Sequence, residues 1–183
     1  MFEEMFHRVP GLTVVGPDIL LCKFLTPSGC EYLRACIDNT GNWTPDARDE
    51  EYFTQDIHLE KHLPDMYEML REHLHNTIFP QAAKHWHTDS FEVSNLFAIK
   101  YSLDTQKSLA VHHDTSFITG SVKINYDYEG AELFFPEKNF NNSEISIGDI
   151  LIWPGQITHR HGCTELLSGE KHALTIWTEE CTK

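Results

Sequence analysis

Residues 18–25 read Asp-Ile-Leu-Leu-Cys-Lys-Phe-Leu, an apolar run of strand length. Ser28 can then cap a helix that runs to about Asn39, with Leu33, Cys36 and Ile37 on one face. From Gly41 to Gln55 the chain is rich in charge and carries Trp43 and Pro45, which predicts a loop, either a functional lid or a surface insertion. Pro64 suits the first turn of a second helix reaching about Ile78, in which Met66, Met69, Leu70 and Leu74 form a core-facing stripe. From Phe91 onward the texture changes to short strand-like runs. They are Val93 to Tyr101, Leu109 to His112, Phe117 to Tyr126, Ala131 to Phe135, Asp149 to Trp153, Thr158 to His161 and His172 to Thr178, separated by Asp, Gly, Asn and Pro clusters. Helices first and many strands afterwards predict an α+β chain with helices packed on one face of a double-sheet core, a jelly roll or another β sandwich. No repeat or linker divides residues 1–183, so a single domain is expected.

Composition agrees with one core and narrows the partners. The chain has 183 residues, 40% of them hydrophobic, and no apolar run long enough to span a bilayer. The acidic start Met1-Phe-Glu-Glu-Met-Phe lacks the plan of a secretory signal, so a cytoplasmic protein is expected. The five cysteines are odd in number and contain no Cys-x-x-Cys pair, which argues for reduced thiols and against a cysteine zinc site. Asp and Glu outnumber Lys and Arg by 28 to 14, so a polyanion would meet a repulsive field. Neither nucleic acid nor membrane is an expected partner. The same charge favours a cationic substrate or peptide, or serves solubility alone.

Histidine is abundant, 12 in all, so most are expected on the surface or in the core; the pairs His73/His75 and His85/His87 have nothing around them to complete a ligand set. The segment Leu109-Ala-Val-His-His-Asp-Thr115 is different. His112 and Asp114 lie two apart, so an extended chain projects both to one face and His113 to the other. His161, far along the chain, would complete a set of two imidazoles and one carboxylate. Such a facial triad with open positions is characteristic of non-haem Fe(II) oxygenases, although zinc in a hydrolase can take the same donors. His159 and His161 share a face in an extended strand, so alternation does not choose between them.

These segments carry a resemblance. Pro17 to Leu33 resembles the strand and first helix that open 2-oxoglutarate- and Fe(II)-dependent dioxygenases of the prolyl and lysyl hydroxylase branch, and Tyr101 sits upstream of the metal motif as in that family. Asp127-Tyr-Glu-Gly-Ala-Glu-Leu-Phe-Phe-Pro136 is similar to its Gly-Gly-Glu-x-x-Phe-Pro stretch, with Ala131 in place of the second glycine. Gly148-Asp-Ile-Leu-Ile-Trp-Pro-Gly155 resembles the strand leading to the distal histidine. The resemblance implies a jelly-roll (double-stranded β-helix) core with the metal in its mouth, held by His112, Asp114 and His161. It implies Fe(II), 2-oxoglutarate and O2 as cofactors, with succinate and CO2 released as an unactivated C–H bond is hydroxylated.

In that family a basic residue ten positions beyond the distal histidine binds the far carboxylate of 2-oxoglutarate. Lys171 stands ten after His161, whereas Gly169 stands ten after His159, and this spacing favours His161. Thr175, four beyond Lys171, and Tyr101 are further candidates for the cosubstrate. Retention of Asp114 favours hydroxylation, since related halogenases lack that carboxylate, and the intact set disfavours an inactive binding module. Lysine at 171 resembles the prolyl hydroxylases, while His112-His-Asp-Thr115 and Tyr128-Glu-Gly-Ala131 resemble the lysyl ones. The substrate is therefore expected to be a peptidyl proline or lysine, a free amino acid or a small molecule, chosen by the loops Gly41 to Gln55 and Leu103 to Ser108.

Overall fold

The computed structural model describes residues 4–8, 11–45 and 53–181, so part of the predicted 41–55 loop lies outside the described residues. Strands β1 (Thr13–Gly16) and β2 (Ile19–Lys23) precede helix α1 (Pro27–Thr40). Strand β3 (Gln55–His58) leads into α2 (Leu59–His62), α3 (Pro64–His73) and α4 (Phe79–Trp86). Nine strands follow: β4 (Phe91–Ser102), β5 (Leu109–His112), β6 (Ile118–Lys123), β7 (Tyr128–Gly130), β8 (Leu133–Phe135), β9 (Phe140–Asn141), β10 (Asp149–Pro154), β11 (His161–Cys163) and β12 (Leu166–Glu180). The larger sheet runs β1-β2-β10-β6-β12-β4-β3, with β7 added to β12, and the smaller runs β5-β11-β8-β9. Every strand pairing is antiparallel, the arrangement of a double-sheet jelly roll.

Side-chain alternation in the larger sheet sorts the core into two layers. Leu96 and Ala98 on β4, Val122 on β6, Ile150 and Ile152 on β10, and Leu174 and Ile176 on β12 pack against Leu33, Ile37, Leu70, Leu74 and Ile78 of the helical layer. Their neighbours face the smaller sheet: Phe97, Ile99 and Tyr101 in one cluster, Leu151 and Trp153 in another. A sheet covered on both faces reads as continuous apolar runs, which is why the central strands show no clean period of two.

The helices differ from expectation in instructive ways. Thr26, not Ser28, caps α1: its side chain accepts the Gly29 N–H at 3.1 Å, and Pro27 takes the first helical position. Proline needs no N–H partner there, so the cap falls immediately before it and Ser28 is left in the first turn, within 3.1 Å of the Thr26 hydroxyl. The second helix does not end at Ile78. Leu74–Ile78 widens into one π-turn and the chain continues as α4. Pro80 lacks an N–H and would crowd the carbonyl four residues back in a regular helix, and the wider turn just before it accommodates that misfit.

Among the strands, the stretch predicted over Thr158 to His161 instead begins at His161, and β12 extends well beyond both ends of the predicted His172 to Thr178 run. Strand β3 starts at Gln55, where the predicted loop ends, and alternates in burial, with Gln55 and Ile57 inside. All five cysteines are free thiols, with Cys22 and Cys30 pushed up to about 12 by burial and by the nearby Asp149 carboxylate. Among the described residues no helix is long and apolar enough to cross a membrane.

Gly41 and Gly148 both adopt positive φ, 63° and 78°, but a Cβ on Gly41 would meet open space and one on Gly148 would collide with the Leu25 carbonyl. Gly41→Ala is expected to cost about 1 kcal/mol, the left-handed strain alone. Gly148→Ala is expected to cost at least twice that, because the Leu25–Gly148 junction, which joins β2 to β10 through a 2.8 Å backbone hydrogen bond, must open. Urea unfolding of the two variants measures the difference.

Candidate active site

The site starts with a register. Strands β5 and β11 pair so that His112 lies directly opposite His161, and their rings approach to 4.5 Å between centres. Asp114 follows two residues after His112, where its backbone N–H donates to the Gly155 carbonyl at 3.0 Å. That bond turns the chain end back toward the larger sheet. Gly155 is required there, since a Cβ would collide with the Ser116 carbonyl. The Asp114 carboxylate then lies 3.6 Å from His112 Nε2 and 3.4 Å from His161 Nε2. One donor atom from each of the three residues falls within 4.8 Å of the other two, the spacing at which a single metal ion can be held.

Secondary contacts orient the three groups. Nδ1 of His112 and Nδ1 of His161 sit 2.8 and 2.9 Å from the carbonyls of Ala110 and His159, each two residues back. A carbonyl can only accept, so both Nδ1 atoms carry a proton, and Nε2 is the atom that each ring turns toward Asp114. Thr119 donates to Asp114 Oδ2 at 2.7 Å. Burial drives the Asp114 pKa up, yet hydrogen bonds from His112 and Thr119 and the charge of His161 outweigh it and hold the carboxyl below its ordinary range. The imidazoles diverge. Burial pulls His112 down, but its contacts with Asp114 and Ala110 leave it raised, whereas burial dominates at His161 and lowers it. The deeper side chain, 7% exposed against 19%, is the one that resists charging.

His159 is turned elsewhere. Its Nε2 lies 2.9 Å from the Pro17 carbonyl and its Nδ1 2.9 Å from the Thr158 hydroxyl. The two histidines do not share a face as an extended strand would have it, because β11 begins only at His161. The pairs His73/His75 and His85/His87 lie on the helical layer and outside the cavity lining.

A cavity of about 370 Å³ between the sheets is lined by all six residues singled out from the sequence: Tyr101, His112, Asp114, His161, Lys171 and Thr175. Lys171 and Tyr101 face each other across the β12–β4 pair, and the ammonium sits 4.9 Å above the Tyr101 ring. Lys171 is buried, donates to the Ala131 carbonyl at 2.7 Å, and lies 3.5 Å from Cys163 Sγ. Burial beside the Cys163 thiol keeps the Tyr101 hydroxyl protonated, well above its ordinary pKa. Thr175, paired with Ser121, lines the cavity on the same strand as Lys171. Lys171 and the two-histidine, one-carboxylate cluster thus line a common cavity.

Three contributors escape sequence reasoning. Thr119 reaches Asp114 from a neighbouring strand, and only its period-two partnership with Ser121 hints at an inward face. Trp153 and Phe135 wall His161 at ring-centre distances of 5.0 and 5.5 Å and read as plain core in the sequence.

No protein-family profile matches the chain. It is similar to the multifunctional procollagen lysine hydroxylase and glycosyltransferase LH3 of Homo sapiens, 29% identical over 179 residues that cover 89% of this chain and 24% of the relative. Procollagen-lysine,2-oxoglutarate 5-dioxygenase 2 of Homo sapiens is 26% identical over 170 residues, covering 85% and 23%. The chain thus spans about a quarter of the length of the curated relatives it matches. Its fold is similar to the crystal structure of a viral collagen prolyl hydroxylase of Paramecium Bursaria Chlorella virus-1, with a TM-score of 0.66 at 15% identity over 91% of this chain and 98% of that one. In sequence the chain is similar to procollagen-lysine 2-oxoglutarate dioxygenases, and in fold to a collagen prolyl hydroxylase.

Proposed function

We propose that the chain is a 2-oxoglutarate-dependent Fe(II) dioxygenase that hydroxylates an unactivated C–H bond of a prolyl, lysyl or other amino-acid side chain and releases succinate and CO2. The observation that carries this reading is the convergence of His112, Asp114 and His161 within 4.8 Å in a cavity that Lys171 also lines. The donors suit Fe(II): two imidazoles with Nδ1 engaged by carbonyls, which leaves Nε2 for a metal, and a carboxylate whose pKa is held low. His112, Asp114 and His161 would hold Fe(II), which with 2-oxoglutarate would activate O2, the oxidant that ordinary side chains cannot supply.

The chain's own residues position and shield. Lys171 is the ligand for the far carboxylate of 2-oxoglutarate. An ammonium has three N–H donors, of which the Ala131 carbonyl takes one, and a charge-assisted pair fixes the cosubstrate's register. Thr175 and Tyr101 line the path between Lys171 and the metal ligands and add hydroxyl partners. Thr119 holds one oxygen of Asp114, so the carboxylate keeps its orientation while ligands exchange. Trp153 and Phe135 screen His161 from water. The net charge of −14 supports a cationic peptide or amino acid as substrate over any polyanion, and the five free thiols support a reducing compartment, the cytosol.

Anaerobic addition of Fe(II) and 2-oxoglutarate is expected to give a weak visible charge-transfer band; its absence at saturating concentrations would contradict the proposal. Asp114→Ala should abolish that band and succinate release while the far-ultraviolet circular dichroism stays that of the parent. Lys171→Ala should raise the KM for 2-oxoglutarate roughly 10–100-fold, the worth of a hydrogen bond to a charged group. Initial rates of succinate formation against 2-oxoglutarate concentration read this directly.

A further inference from the structure

The cavity that Lys171 lines also holds a second carboxylate that the proposed chemistry does not use. Strand β3 is the edge of the larger sheet and pairs with β4 so that Asp56 lies opposite Ile99 and His58 opposite Phe97. Ile57 is buried in the helix-side core, so Asp56 and His58 project to the concave face. Both line the same cavity as the metal ligands, and Asp56 and Asp114 are its only acidic residues among the described ones.

Asp56 is half satisfied. Its Oδ2 accepts from the Thr54 hydroxyl at 2.8 Å. Among the described residues its Oδ1 is buried with no hydrogen bond, and His58 Nε2 lies 3.7 Å away. A carboxyl group that is only 13% exposed and has a buried oxygen without a hydrogen bond is costly to fold around, and a ligand that donates to that oxygen would offset the cost. His58 covers that oxygen from the solvent side. It is 48% exposed, is held by Asn95 Oδ1 at 3.1 Å, and stacks on Phe97 at 5.6 Å. A half-exposed ring with one such contact can swing aside at little cost, and Phe97 with Trp177, edge to face at 5.2 Å, would then offer an apolar wall to an alkyl stem.

We infer that Asp56 is the specificity-determining residue for the substrate, binding a cationic side-chain nitrogen at the edge-strand side of the cavity while the alkyl stem lies along Phe97 and Trp177 toward the metal ligands. The substrate side chain is accordingly a lysyl-type ammonium rather than a neutral prolyl ring. This inference rests on the oxygenase reading and deepens it. No bond is made or broken at Asp56; its carboxylate accepts hydrogen bonds in place of those it now lacks, and His58 gives way.

The test uses three peptides identical except at one position, which holds lysine, Nε-acetyl-lysine or proline, with the Fe(II)-loaded chain and saturating 2-oxoglutarate. The expected result is a kcat/KM for hydroxylation of the lysyl peptide at least tenfold above that of either neutral peptide. In Asp56→Asn the lysyl-to-acetyl-lysyl ratio is expected to fall to near one, mainly through KM. Equal use of lysyl and acetyl-lysyl peptides by the unaltered chain, or preference for the prolyl peptide, overturns the assignment without any variant. A selectivity ratio unchanged in a folded Asp56→Asn overturns it as well. The anaerobic charge-transfer band of the unaltered chain is read separately: if it forms and the peptides are not discriminated by charge, Asp56 is wrongly assigned, and if it does not form, the oxygenase reading itself falls.

Discussion

The pairing of β5 with β11 is the constraint on which the rest depends. It places His112 opposite His161, and everything that makes these residues a potential metal site follows from that one cross-strand pair. Both strands are short, four and three residues, and belong to the smaller sheet, so their position must be imposed from outside. Two contacts impose it. Asp114 N–H bonds the Gly155 carbonyl, which ties the end of β5 to the end of β10, and Gly162 lies so close to Leu109 and Phe134 that a side chain would force β11 away from its neighbours. The site is therefore held by backbone geometry first and by side-chain packing second.

A buried ammonium needs compensation, and the chain supplies it with strained backbone. Gly130 and Ala131 take φ of 75° and 52° in succession, and this left-handed pair turns the Ala131 carbonyl inward, where Lys171 Nζ and Cys163 Sγ both donate to it. Alanine in this region costs about 1–2 kcal/mol. Two things offset that cost: the methyl is fully buried against the Phe97, Tyr101 and Leu166 cluster, and the Ala131 N–H is satisfied by Glu165. A glycine here would relax the backbone and lose the methyl's packing, so the substitution noted in the sequence is a trade between two comparable quantities.

Much of this was legible because its signals are local in sequence. The His112-x-Asp114 spacing, the ten-residue interval from His161 to Lys171 and the interval to Thr175 all concern one or two strands, and each of these residues lines the cavity. The jelly-roll order could be anticipated from the run of short strands, but the pairing partners could not, because strand order is a property of the whole sheet. Thr119 illustrates the limit: its contact with Asp114 depends on β6 lying where the end of β5 returns, and no spacing encodes that. Asp56 shows the opposite failure. One apolar residue between two polar ones is too short a signal to mark a strand, whereas those polar residues line a concave face of an edge strand. Polar residues at inward positions are rare enough that, once the fold is in hand, they are the ones to ask about.

The helical layer has its own part in this chemistry. Strand β12 carries Lys171, Thr175 and Trp177 on its concave face, while Leu174 and Ile176 on the other face pack into the helix-side core with Leu33, Leu70 and Ile78. Its two faces cannot move independently, since the backbone between them is paired on both sides, to β4 over most of its length and to β6 along its middle. Repacking α1 or α3 therefore shifts the cosubstrate end of the cavity as a unit with its mouth. The β5–β11 pair, which lies in the other sheet, is spared. Core substitutions in the helical layer should thus act first on the distance between Lys171 and the two histidines, which different sheets carry, and reach Asp114 through its bonds to Gly155 and Thr119.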